Sequence, residues 1–137
     1  MPPATGRLTN MGKGKTTICI VHTDATLLQK MGNLMKSAGI RVESYEMPSE
    51  FLQRSSSERP RCLILGVQLP EMDGLELQRK LHDRSETAPV IFVAHRGCDI
   101  PTAVEAMRQG AFDFMEAPVI ELNLLRAVRA ALAVDGH

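Results

Sequence analysis

The chain has 137 residues, 44% of them apolar and only 4% aromatic, with eight Met and no Trp. At that length about two thirds of the unfolded surface can be buried in one core without help from metal or disulfides. Sixteen basic residues balance sixteen acidic ones, so no long-range field gathers nucleic acid or anionic lipid, and DNA binding by this chain alone is not expected.

With few aromatics the core is aliphatic, with Met filling its irregular gaps. Cys19, Cys62 and Cys98 are odd in number and lack CxxC spacing, which fits a reducing cytoplasm better than a disulfide framework. No apolar run is long enough to span a bilayer, and no h-region with a cleavage site follows the basic N-terminus. A soluble, unprocessed, cytoplasmic protein without membrane contact is expected.

In chain order, residues 1–15 are rich in Pro, Gly, Thr and basic residues without apolar periodicity and read as a flexible tail, leaving 16–137 as the folded domain. Gly12 to Thr17 resembles the end of a phosphate-binding loop. Such a loop needs a glycine where Thr9 stands and a strand before it, whereas here the strand follows.

That strand, Ile18 to Val21, is a continuous apolar run of the kind a central parallel strand shows. A helix follows with Leu27, Leu28, Met31, Leu34 and Met35 on one stripe and Gly39 as terminator. Arg41 to Tyr45 alternates and predicts a half-exposed edge strand. A short helix from Pro48 through Leu52 breaks down in the polar Arg54 to Ser57.

The third strand is Cys62 to Leu65, with Gly66 at its end. A helix over Leu75 to His82 and a strand over Val90 to Val93 come next. Pro101 opens the fourth helix, which stops at Gly110; a brief strand covers Asp113 to Met115, and the last helix spans Glu121 to Val134. Strands and helices in alternation predict an α/β fold, a doubly wound five-stranded parallel sheet of order 2-1-3-4-5. Right-handed crossovers then place any site at the carboxyl ends of strands one, three and four.

Three stretches are distinctive: Leu69-Pro70-Glu71-Met72-Asp73-Gly74-Leu75-Glu76-Leu77, Asp99 through Met107, and Gly110 through Pro118. Together they make the chain resemble the receiver domain of two-component response regulators, with the CheY-like (βα)5 fold and in particular the FixJ-like group. The resemblance covers Thr17 to about Val134. It implies phosphoryl transfer from a histidine kinase to an aspartate, which requires a nucleophilic carboxylate, acidic Mg²⁺ ligands, a lysine and a hydroxyl.

Each of those positions is altered. His22-Thr23 stand where the family places its acid pair, with Asp24 one step late; Gly66 replaces the acceptor aspartate; Ala94 or His95 replaces the hydroxyl; and Ala117-Pro118 keeps the proline, a candidate cis bond, but not the lysine. Mg²⁺ prefers hard oxygen ligands, which imidazole and one hydroxyl replace poorly. The resemblance so altered implies a pseudo-receiver: no cofactor, no metal, no enzymatic activity, and a regulatory role through protein contacts. The face that receivers use for dimerisation or output, built by the fourth helix, fifth strand and fifth helix, would here carry Met107, Phe112, Phe114, Val119, Ile120 and Leu124. Its partner would be a signalling protein, an output domain or a second copy, although no helix-turn-helix follows Val134.

Two alternatives share the pattern. Asp73 could serve as a displaced acceptor, although Asp in a Pro-x-Met-Asp-Gly turn commonly supports the turn itself. His22, Asp24, His95 and Cys98 could form a transition-metal or redox site, but a third strand separates the first from the fourth, and a solvated pair of loop histidines with an ordinary surface thiol is the plainer expectation.

Overall fold

The computed structural model describes residues 17–54 and 59–135. The expected tail and phosphate-loop segment lie outside them, apart from Thr17, as do Ser55 to Ser57 of the polar loop. Five strands, β1 (Thr17–Val21), β2 (Arg41–Tyr45), β3 (Cys62–Gly66), β4 (Val90–Ala94) and β5 (Asp113–Glu116), alternate with five helices. The helices are α1 (Ala25–Ser37), α2 (Pro48–Leu52), α3 (Gly74–Asp83), α4 (Ile100–Arg108) and α5 (Glu121–Asp135). All pairings are parallel, and the order is β2-β1-β3-β4-β5, as the alternation predicts.

Period-two alternation sorts the strand side chains onto two faces. Ile18, Ile20, Ile64, Ile91 and Val93 pack with Leu28, Met31 and Met35 of α1 and with Leu124, Val128 and Ala131 of α5. Cys19, Val21, Leu63, Leu65 and Phe92 pack with Phe51 of α2, Leu75, Leu77 and Leu81 of α3 and Ala106 of α4. Both faces are covered, so β1, β3 and β4 are buried along their whole length.

Helix starts are marked by carboxylates whose oxygen takes an orphan backbone N–H. Asp24 Oδ1 accepts from Leu27 N–H at 3.1 Å, and Asp99 Oδ1 from Thr102 N–H at 3.0 Å. At α3, Asp73 Oδ1 accepts from Glu76 N–H at 2.9 Å while Glu76 reaches back to the Asp73 N–H, a reciprocal capping box. Gly39 and Gly110 end their helices at positive φ.

The edge position of β2 agrees with its alternation, but Glu43 is buried rather than solvated. Its carboxylate takes the Arg54 guanidinium at 3.5 Å and the Tyr45 hydroxyl at 3.1 Å, with the Cys19 thiol at 3.7 Å. Arg54 also lies 5.6 Å from the Phe51 ring centre. A polar residue on an alternating strand can therefore point inward when cation and hydroxyl satisfy it.

Candidate functional site

The carboxyl ends of β1, β3 and β4 meet where the doubly wound topology places a site. Pairing of Val21 with Leu65 and of Gly66 with Val93 sets His22, Gly66 and Val93 side by side across three strands. Here the structure corrects the expectation of a solvated loop histidine. His22 is 6% exposed, and its ring crosses the end of β3 to reach β4.

Nε2 lies 3.1 Å from the Val93 carbonyl oxygen, and Nδ1 accepts the Asp24 N–H at 3.1 Å. Because Nδ1 accepts, Nε2 carries the proton and donates it to Val93: the ring is held neutral in one tautomer. Burial pushes its pKa below the ordinary 6.5, against the opposing pull of the Val93 bond and the Asp24 charge.

Gly66 leaves room for that crossing. A Cβ there would stand 3.0 Å from His22 Cδ2, 3.3 Å from Nε2 and 3.1 Å from Leu69 Cδ2. The space into which a side chain at 66 would project is filled by imidazole. Gly74, at the first turn of α3, is required for a related reason: its Cβ would fall 2.1 Å from the Gly66 carbonyl oxygen and 2.9 Å from Phe92. Its N–H donates to the Val67 oxygen at 2.7 Å, so the helix begins directly against the strand end.

Around this centre the remaining positions are apolar or engaged. Ala94 is fully buried, while Thr23 and His95 are exposed. The Ala117-Pro118 bond is cis, and the Ala117 N–H donates to the Ala94 oxygen at 2.8 Å. Glu116 Oε2 accepts the Gly97 N–H at 2.6 Å and ties the β4–α4 loop to β5. Among the described residues no group of three His, Cys, Asp or Glu is placed to hold a metal ion. The Mg²⁺ that the fold family implies does not fit: both ring nitrogens of His22 are occupied by backbone, and Asp24 and Asp73 are spent on helix caps.

Cys98 is half-buried, and burial, with Asp99 and Glu116 nearby, pushes its pKa up, against thiolate reactivity. On the expected contact face, Met107 and Ile120 are exposed, and Phe112, Phe114 and Val119 are half-buried against the core. Leu124 is fully buried and belongs to the core, a correction to its place on that face. It sits one helical turn from Ile120 but points at the sheet. The same edge has a groove of about 540 Å³ between β5 and α5, lined among others by Met115, Glu116, Ile120 and Arg126.

The model of the response regulator receiver domain matches residues 18–129. The chain belongs to that family. Its receiver fold superposes on the crystal structure of FixJ-N with a TM-score of 0.78 at 29% identity, covering 88% of this chain and 96% of that one. It superposes on the response regulator StyR at 0.80 and 35% identity, covering 90% and 62% respectively. Over 131 residues this receiver is 41% identical to the response regulator protein TodT of Pseudomonas putida, spanning 96% of the chain and 57% of that relative. The chain thus spans little more than half the length of such curated relatives. No described helix of the receiver is long and apolar enough to cross a membrane.

The sequence places His22, Gly66 and Ala94 at neighbouring strand ends but misses the reach of His22 and the capping box at Asp73. The latter was legible as Asp followed three residues later by Glu. The former had no local signal, because it depends on strand register and on the glycine opposite.

Proposed function

We propose that this receiver domain regulates by binding rather than by phosphoryl transfer, as a phosphorylation-independent interaction module in two-component signalling in the bacterial cytoplasm. One observation carries the reading: a glycine ends β3, and the His22 imidazole occupies the space beyond it. An acyl phosphate needs a carboxylate at that point and cationic compensation for the phosphoryl oxygens. Glycine supplies neither nucleophile nor attachment, and Ala117 supplies no cation.

Asp73 does not favour the alternative acceptor reading, since its carboxylate caps α3. Output then runs through surfaces that contact other proteins, and the exposed apolar residues of the α4–β5–α5 edge support that reading. The partner is a signalling protein, an output domain or a second copy.

The test is incubation with acetyl phosphate and Mg²⁺ followed by intact-mass measurement. An unchanged mass is expected, together with unchanged amide resonances at Asp24, Gly66 and Ala94 on adding beryllofluoride. A phosphorylated species sensitive to hydroxylamine would overturn the reading.

A further inference from the structure

We propose that the His22 imidazole is a resident latch: it fills the cleft between the ends of β1, β3 and β4 and holds the β1–α1 loop against β4 in one arrangement. The geometry carries this in three steps. The ring is buried although it lies just past a strand end. Its two nitrogens engage backbone groups of different segments, the Asp24 N–H in the β1–α1 loop and the Val93 carbonyl on β4, 71 residues away in sequence. And the ring runs directly over residue 66, where a Cβ would stand 3.0 Å from it and press it aside.

These features depend on one another. A side chain at 66 crowds the ring and must displace it, and loss of the ring strips the Asp24 N–H of its acceptor and opens a cavity of imidazole size. The neighbouring β4–α4 loop is held from the other side by Glu116, so the strand ends at β1, β4 and β5 are stitched in sequence. The cleft is thus filled from within the chain. This deepens the reading above by naming what occupies the acceptor's space, and it rests on that reading in taking the site as inert to phosphodonors.

The test separates the two bonds in the isotopically labelled full chain without phosphodonor. His22→Gln retains a donor at the reach of Nε2 but lacks the Nδ1 acceptor. His22→Asn retains the near acceptor but is too short for Val93, and His22→Ala lacks both. The Asp24 amide is expected to exchange about tenfold faster in the Ala and Gln variants and near the wild-type rate in Asn. The Ala94 amide resonance, reporting on the Val93 carbonyl, should shift in Ala and Asn and stay close to wild type in Gln. Free imidazole added to the Ala variant should reverse both effects.

Wild-type exchange and resonances in a folded His22→Ala chain, or no response of that variant to imidazole, would overturn the latch. If His22→Ala fails to fold, the Asn and Gln variants decide, and identical behaviour of the two would overturn it equally. A phosphorylated species in the separate mass measurement would sink the functional reading and leave these outcomes untouched.

Discussion

Two residues facing each other, one without a side chain and one with a ring, set the chemistry of the sheet's carboxyl end. Gly66→Asp on its own should not rebuild an acceptor. It forces a carboxylate against His22 and Leu69 and is expected to cost about 2 kcal/mol in urea unfolding, as overpacking and an unpaired buried charge do. In the His22→Ala background the same substitution should cost markedly less, and equal costs in the two backgrounds would contradict the interlock. The imidazole also predicts a pH dependence. Its folded pKa lies below its ordinary 6.5, so between those values the unfolded chain binds the proton more readily. Stability should therefore fall as pH drops below about 6.5, and that part of the slope should vanish in His22→Asn.

At the scale of elements, α3 and its approach loop hold most of the testable energetics. Asp73→Ala removes the capping box and should cost about 1 kcal/mol. Gly74→Ala should cost more, because the obstacle is the backbone carbonyl of Gly66, which cannot rotate away. One turn further, Gln78 is 1% exposed, and neither atom of its side-chain amide has a hydrogen-bond partner. Gln78→Met should stabilise the fold by about 1 kcal/mol, read as a rise in the denaturant midpoint, since the orphaned amide is removed at similar volume. The sequence made these elements legible because apolar runs and helical stripes were clean from Ile18 onward, so strand order and helix limits agree within a residue or two. What it left hidden were contacts made across elements: Glu71, at φ 74°, accepts both the N–H and the hydroxyl of Ser49 from α2, and Glu43 gathers Arg54, Tyr45 and Cys19. Such pairings depend on which loops face each other, and no local pattern encodes that.

For the molecule as a whole, surface and core divide sharply on the α4–β5–α5 edge. Ile100, Val104 and Met107 lie on one exposed stripe of α4, while Leu124 on α5 is shut away. Val104→Glu should stay within about 0.5 kcal/mol of wild type in thermal or urea unfolding, whereas Leu124→Ala should lose about 3 kcal/mol. That His22, Gly66 and Ala94 gather at the sheet's carboxyl end was legible in the strand order, but the ring that fills the space there was not, because filling it required a ring from one strand to cross a second and meet a third. The thiols offer a practical outcome of the same packing. Cys19 and Cys62 are sealed inside, Cys19 with its pKa pushed up to about 12 by burial, while Cys98 alone reaches solvent among the three, next to the glycine that Glu116 clamps. A maleimide fluorophore would therefore attach at a single point on the unmodified polypeptide, and its emission would report directly on whether that corner of the domain moves when a partner arrives.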